Sequence, residues 1–262
     1  MIEAEKQVYE NILFERDGAI ARITMNRPDK RNALSLAHME ELIHAFKSIG
    51  EETQVVVLAG NGPAFCAGHD LSEMVGRDAG FYRRTFDVCT ELMTAIQTIP
   101  QPVIAKVHSI ATAAGCQLAA TCDLVVASEE ARFATPGVKI GLFCSTPMVA
   151  LSRAVGQKKS MEMLLTGDFV PAKEAKEIGL ANKVVPPNEL DEATDTMARK
   201  ICEASPLVVG VGKGAFYRQL EMPTEQAYSY TKEVMSFNAT FADAQEGMSA
   251  FLEKRKPEWR SR

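Results

Sequence analysis

Two glycine-containing turns could place backbone amides around a small anion. Residues 65–71, Phe-Cys-Ala-Gly-His-Asp-Leu, follow an apolar run, and residues 113–117, Ala-Ala-Gly-Cys-Gln, open a helical pattern. Gly68 permits a backbone geometry that turns the N–H of His69 outward, and the N–H of Ala114 falls in a first helical turn, where it has no partner within the helix. Two such amides aimed at one point form an oxyanion hole, in which each donor lowers a barrier by roughly 3 kcal/mol. The alternative is that both segments are only tight strand-to-helix turns.

Composition limits the classes of protein to which the chain could belong. Its 262 residues fit one large α/β domain or two small ones, and 46% hydrophobic with 24% charged residues is typical of a soluble globular protein. The net charge of −5 argues against a nucleic-acid-binding surface. No apolar run approaches the roughly 18 residues of a membrane span. The acidic N-terminal residues lack an apolar signal core, which predicts a cytoplasmic location.

The cysteines and histidines do not have the spacing of metal ligands. The six cysteines are scattered without a Cys-x-x-Cys pair, which indicates reduced and mostly buried thiols. The four histidines form no His-Glu-x-x-His pattern, so we expect no metal site.

The first two-thirds of the chain alternates between strand and helix patterns. Residues 12–25 alternate around a turn, which predicts a hairpin, and the loop at 26–32 precedes a helix from Leu36 to Phe46. Short β-branched runs predict buried strands, and apolar residues at helical spacing predict helices between them. The predicted strands are 55–59, 103–107 and 124–127, and the predicted helices are 81–99 and 115–122. This order predicts a layered α/β core.

The last third of the chain is mostly helical in pattern. Only the short run at 182–185 reads as a strand, and the predicted helices are 172–178, 189–203, 206–217, 224–237 and 242–254. We divide the chain into an α/β core at 1–200 and a helical region at 201–262. The amphipathic helices of that region could cover the core or contact another subunit, and composition does not separate these alternatives.

Taken in order, the motifs resemble the crotonase superfamily, the enoyl-CoA hydratase/isomerase fold, across nearly the whole chain. Within it, the resemblance is to the group of enoyl-CoA hydratase domain-containing protein 3, through 68–70, 113–117, 133–137 and 141–147. The other landmarks are residues 26–34, 102–105, 122–123, 166–167, 179–180, 245–248 and 251–257.

This resemblance implies a fold, an assembly and a ligand. The fold would be a spiral of repeated ββα units with a C-terminal helical region used for trimerisation, giving a homotrimer or a dimer of trimers. The ligand would be an acyl-CoA thioester, with no tightly bound cofactor. The oxyanion donors would be the N–H groups of His69 and Ala114. The CoA moiety would contact Ala67, Gly68, Asp70, Leu71 and Ser72, with Lys30, Arg31 and Ala33 near the adenine and Lys254 or Lys256 near the phosphates. The alternative for the basic side chains is ordinary solvation.

The chain departs from this family at both acid–base positions. The resemblance places the two glutamates of the hydratases at Gln117 and Gly137. A glutamine amide has no usable proton affinity near neutral pH, and glycine offers no side chain. Because acid–base catalysis typically contributes 10²–10⁴-fold, we expect weak hydration of enoyl-CoA.

Several readings of the site therefore stay open. Replacement acid–base groups could be His69, Asp70 or Cys144 and, more remotely, Glu73 or His108. The alternatives for Asp70 and Cys144 are a structural cap and an inert buried thiol.

The reaction could be decarboxylation, as in the similar methylmalonyl-CoA decarboxylases, or thioester hydrolysis. A non-catalytic CoA-ester-binding protein is a further alternative. RNA binding is not expected, since the helix after Ser35 has no basic stripe.

Overall fold

Two sheets organise the computed structural model, which describes residues 9–260. In that part of the chain the strands are β1 Ile12–Asp17, β2 Ile20–Met25, β3 Val55–Gly60, β4 Ala64–Cys66, β5 Val103–Val107, β6 Ile110–Thr112, β7 Leu124–Ser128, β8 Arg132–Ala134, β9 Val170–Pro171 and β10 Lys183–Val185.

Helices connect these strands and dominate the C-terminal part. They are α1 Leu36–Lys47, α2 Leu71–Met74, α3 Ala79–Thr98, α4 Ala114–Thr121, α5 Pro147–Ala154, α6 Gln157–Thr166, α7 Ala172–Glu177, α8 Leu190–Cys202, α9 Pro206–Leu220, α10 Thr224–Asn238 and α11 Ala242–Glu253. Short 3₁₀ turns occur at Pro28–Lys30, Pro136–Ile140 and Pro187–Glu189.

The larger sheet has the order β1-β2-β3-β5-β7-β10 and is parallel apart from the β1–β2 hairpin. Its central strands are rich in valine and isoleucine and are buried on both faces, as parallel strands usually are. Helix α8 covers one face, where Leu190, Ala193 and Ala198 pack against side chains such as Val57. The main hydrophobic core covers the other face.

The smaller sheet has the order β4-β6-β8-β9. A strand of the larger sheet, a strand of this sheet and a helix repeat along the chain, in the orders β3-β4-α2, β5-β6-α4 and β7-β8-α5. This repetition confirms the predicted spiral of ββα units. Because β4 and β6 pair in parallel, the turns that follow them lie at the same edge of the sheet.

Helix α9 is fixed to the core through a buried ion pair. The ammonium of Lys213 donates to the carbonyl oxygens of Ile96 and Gln101, both at 2.8 Å, and lies 2.7 Å from Asp123 Oδ2. Tyr217 donates to the other oxygen of Asp123 at 2.8 Å. Burial lowers the pKa of Lys213, and the Asp123 carboxylate opposes that shift.

Helices α10 and α11 carry apolar side chains that are largely exposed in the single chain. No described helix is long and apolar enough to cross a membrane.

Candidate active site

A cavity of about 450 Å³ lies where the turns after β4 and β6 meet. We call it the central cavity. Its walls come from the turn after β4, from α2 and α3, from the start of α4 and from residues 136–147. Most of the lining is apolar, and the polar groups within it are few.

The turn after β4 directs the N–H of His69 away from the neighbouring chain segment. Leu34 donates to the carbonyl oxygen of Gly68 at 2.7 Å, and Asp70 donates to that of Leu34 at 3.0 Å. This parallel bridge uses the residues on either side of His69, whose own N–H has no acceptor in the described part of the chain. Gly68 makes the turn possible, with a φ of +94°.

The turn before α4 exposes the second amide. Ala113 has φ 51° and ψ −119°, a conformation that costs on the order of 1–3 kcal/mol and is typical of functional turns. Its own N–H is bonded to the carbonyl oxygen of Ala134 at 2.9 Å. The following N–H, that of Ala114, begins the helix and has no acceptor among the described residues.

Close packing brings the two turns together. A Cβ placed on Gly68 would lie 2.8 Å from the Cβ of Ala113 and 3.3 Å from the nitrogen of Ala114. A Cβ on Gly115 would lie 2.1 Å from the carbonyl oxygen of Cys66. Both glycines are therefore required by the approach of α4 to β4, and this approach places the amides of His69 and Ala114 at one cavity.

The central cavity is lined by no aspartate or glutamate among the residues the structure describes. Lys139 is its charged lining residue, and its ammonium lies 2.7 Å from Asp168. The ring of His69 also lines the cavity and meets the Phe86 ring edge to face, with centroids 5.4 Å apart. Burial lowers the pKa of His69 to about 4, so this ring is neutral at physiological pH.

The two predicted acid–base positions differ in their access to the central cavity. Gln117 is buried one turn into α4, where the Cys89 thiol donates to its Oε1 at 3.9 Å, and it does not line the cavity. Gly137 does line the cavity, and its N–H donates to Cys144 Sγ at 3.3 Å. Burial raises the pKa of Cys144, which keeps this thiol protonated at neutral pH.

The turn that follows His69 is fastened by Asp70. Its carboxylate caps α2 by accepting from the N–H and the hydroxyl of Ser72, at 3.2 and 2.6 Å, and it pairs with Arg27 at 3.0 Å. Burial alone would raise the pKa of Asp70, but the bonds from Ser72 and Arg27 lower it overall. This side chain therefore holds the loop in place.

The other predicted ligand contacts divide into two groups. The loop at 27–34 runs beside the turn after β4, since Ala67 donates to the carbonyl oxygen of Arg31 at 3.0 Å. Along it, Lys30 and Arg31 are exposed and Ala33 is buried, while Leu71 and Ser72 are exposed at the start of α2. Lys254 and Lys256 are exposed after α11, and neither lines the central cavity.

Sequence reasoning missed several residues of the site. Phe86 and Met74 line the cavity, but in the sequence they fit equally well on the core face of a helix. Arg27 lies in a landmark segment, and a buried carboxylate at Asp70 would have required such a partner. The cavity wall formed by Leu142 and its neighbours belongs to an irregular segment that carries no periodic signal.

With this geometry established, similarity to known proteins identifies the class. The family model described as enoyl-CoA hydratase/isomerase matches residues 15–262, and the chain therefore belongs to the enoyl-CoA hydratase/isomerase (crotonase) family. Human enoyl-CoA hydratase domain-containing protein 3 is 47% identical over 247 residues, which are 92% of this chain and 80% of the human protein. The Xenopus laevis protein of the same name is 45% identical over 252 residues, with 94% and 85% covered.

Solved structures agree with this assignment. A crystal structure of an enoyl-CoA hydratase from Mycobacterium smegmatis matches with a TM-score of 0.94 at 50% identity, covering 95% of this chain and 99% of that one. The crystal structure of the human domain-containing protein 3 matches with a TM-score of 0.93 at 44% identity, covering 95% and 100%. These matches confirm the predicted fold and the predicted resemblance to that group.

The predicted cytoplasmic location is wrong by the same comparison. The human and Xenopus laevis relatives are both named as mitochondrial proteins. The acidic N-terminal residues, on which the prediction was based, include positions outside the described residues.

Proposed function

We propose that this protein binds acyl-CoA thioesters and stabilises a thioester enolate with the N–H groups of His69 and Ala114. The observation that carries this proposal is the meeting of two unpaired backbone amides at one largely apolar cavity. Amides held by a folded turn need no reorganisation when negative charge develops on a thioester oxygen. Removal of one such donor costs about 10²–10³-fold in rate in characterised enzymes.

The CoA moiety lies along residues 67–72 in this proposal, with the adenine near Lys30, Arg31 and Ala33. The exposure of Lys30 and Arg31 supports a contact with a solvated nucleotide. Lys254 and Lys256 would reach the phosphates only across a subunit boundary, because neither lines the cavity of its own chain.

Hydration of enoyl-CoA is weak in this proposal, because the described residues that line the cavity include no carboxylate to hold and deprotonate water. The amide of Gln117 is engaged by Cys89, and Gly137 presents only backbone to the cavity. The loss of acid–base groups predicts a rate about 10²–10⁴-fold below that of a hydratase with both glutamates.

Decarboxylation is a second candidate, and the absence of acidic side chains from the described cavity lining favours it. Loss of CO₂ from a malonyl-type thioester breaks a carbon–carbon bond and leaves the electron pair as an enolate. This step needs the two amide donors but no base. A carboxylate in the wall would also repel the carboxylate of such a substrate.

A homotrimer or a dimer of trimers is proposed as the assembly. Apolar side chains on α9, α10 and α11 are between 56% and 83% exposed in the single chain, namely Phe216, Phe237, Met235, Leu252 and Phe251. A surface of this kind indicates an interaction site. Light scattering should give three or six times the 28.6 kDa chain mass, whereas a stable monomer would contradict the assembly.

The function is tested by separating binding from hydration. We expect the wild type to bind butyryl-CoA in calorimetry but to hydrate crotonyl-CoA slowly. Ala114→Pro deletes one amide donor and should weaken butyryl-CoA binding at least tenfold. Ala242→Pro is the matched control, since it places the same change at the exposed first residue of α11.

Two results would contradict the proposal. Absence of butyryl-CoA binding by the folded wild type would remove the proposed ligand class. Hydration of crotonyl-CoA at ordinary enzymatic turnover, about 10 s⁻¹, would remove the argument from Gln117 and Gly137. Both results come from the wild type, so they do not depend on the folding of Ala114→Pro.

A further inference from the structure

The imidazole of His69 is a polar ring in the central cavity whose nitrogens are unpaired. Its Nε2 is fully buried and has no hydrogen-bond partner. Its Nδ1 likewise has no hydrogen bond in the described part of the chain, and unlike Nε2 it is not fully buried. A buried polar group without a hydrogen-bond partner destabilises the folded protein. A ring held at this cost beside the amide donors is placed for contact with a bound ligand.

The other ionisable groups of the cavity lining are already engaged. The ammonium of Lys139 is paired with Asp168 at 2.7 Å. The thiol of Cys144 accepts from the N–H of Gly137 and is kept protonated by burial. Among the described lining residues, His69 is therefore the basic side chain with an available lone pair.

The basicity of this ring is close to that of a carboxylate. Burial brings the pKa of His69 to about 4, whereas a free glutamate has a pKa of about 4.3. The imidazole differs from glutamate in its charge, since it is neutral before it takes a proton. An apolar cavity accommodates a neutral base at less cost than an anion. After proton transfer, the imidazolium and the enolate would be opposite charges in a medium of low dielectric constant.

We propose that the imidazole of His69 is the acid–base group of the central cavity, removing and returning a proton at the α-carbon of the bound acyl thioester. The α-carbon–hydrogen bond breaks, its electron pair moves into the enolate, and the proton forms an N–H bond on the ring. The reverse step restores the thioester, so no further reactant is needed. Covalent geometry keeps the ring nitrogens within about 6 Å of the backbone nitrogen of the same residue. Because His69 also lines the central cavity, a thioester oxygen held by its amide places the α-carbon in the same cavity as the ring.

This inference rests on the proposed function, and its test is exchange of the α-protons of butyryl-CoA in deuterated water, followed by mass spectrometry. His69→Gln retains the backbone amide and removes the base. We expect it to slow the exchange by at least 10²-fold while butyryl-CoA binds within about threefold of wild type. His108→Gln is the control, because the Nε2–H of that ring donates to the carbonyl oxygen of Gly62 at 2.8 Å, outside the cavity lining, and the substitution should leave exchange unchanged.

Decarboxylation of malonyl-CoA distinguishes the enolate-stabilising function from the acid–base role of His69, since this reaction forms the enolate without a base. If His69→Gln exchanges α-protons as fast as wild type, the role of His69 is refuted. If the wild type decarboxylates malonyl-CoA but does not exchange α-protons, the inference about His69 fails and the enolate-stabilising function stands. If the wild type does neither, the proposed function fails as well.

Discussion

Arg27 and Asp70 form an ion pair that connects the loop before α1 to the turn carrying the His69 amide. One amino group of Arg27 lies 3.0 Å from Asp70, and the other donates to the carbonyl oxygen of Ala33 at 2.5 Å. Both charged side chains are largely buried, with exposures of 17% and 7%. The pair therefore fixes the two segments proposed to hold CoA.

Arg27→Met should leave the Asp70 carboxylate buried without its cation. We expect a loss of about 3 kcal/mol in the free energy of unfolding, measured with urea. Arg84→Met is the control, because the Arg84–Glu40 pair is 66% and 49% exposed and is worth at most about 1 kcal/mol. Equal losses in the two variants would contradict the role given to burial.

Gly137→Ala should destabilise the protein through direct overlap with the backbone. A Cβ at this position would lie 2.0 Å from the carbonyl oxygen of Leu142 and 2.8 Å from Cys144 Sγ. We expect a loss of about 1–3 kcal/mol or more in thermal or urea unfolding. Gly156→Ala is the control, since a Cβ there meets nothing within 4 Å. Unchanged stability of Gly137→Ala would contradict this expectation and would show that the backbone at Leu142 moves at little energetic cost.

The free energy of unfolding should decrease as the pH is lowered from 6.5 to 4. Burial lowers the pKa of His38 and of His69 from 6.5 to about 4. The unfolded chain therefore binds more protons than the folded one in this window, which costs up to about 1.4 kcal/mol per pH unit for each ring. His38→Gln should reduce the slope of unfolding free energy against pH, and His44→Gln, at an exposed position, should not. An unchanged slope in His38→Gln would refute the assignment.

Lys213→Met should lower the free energy of unfolding by weakening the attachment of α9 to the core. The substitution leaves Asp123 buried beside Tyr217 without its cation, for which we expect a cost of about 3–5 kcal/mol. The exposed Lys232, paired with Glu233 at 3.3 Å, provides the control Lys232→Met with a change below about 1 kcal/mol. If Lys213→Met lowers the free energy of unfolding by no more than Lys232→Met does, α9 is held to the core mainly by apolar contacts.

The larger sheet and the long helices were predictable from periodicity. The hairpin, the central strands and helices such as Ala79–Thr98 were expected within a few residues of their bounds, because their apolar patterns extend over several turns or strand residues. The individual strands of the smaller sheet were not predicted from periodicity. Its strands are two or three residues long, for example Ala64–Cys66 and Val170–Pro171, and this length is too short for a periodic signal.

The tight turns at Gly68 and before α4 were predictable, whereas the shape of the cavity was not. Glycine at position 68 indicates an unusual turn from its residue type alone. Nothing local shows that Gln117 turns toward Cys89, or that residues 136–147 fold into the cavity wall, since both depend on packing between distant segments. The resemblance to a family predicts a glutamate position at Gly137, which stays a prediction, and only the structure shows that the carbonyl oxygen of Leu142 lies beside it.

The carbonyl oxygen of Leu142 limits which side chains residue 137 can carry. It lies 2.0 Å from the point where a Cβ on Gly137 would be placed, so any larger residue at this position requires the main chain at Leu142 to shift. Installing an acidic group in this wall of the cavity is therefore a problem of backbone redesign as well as of side-chain choice.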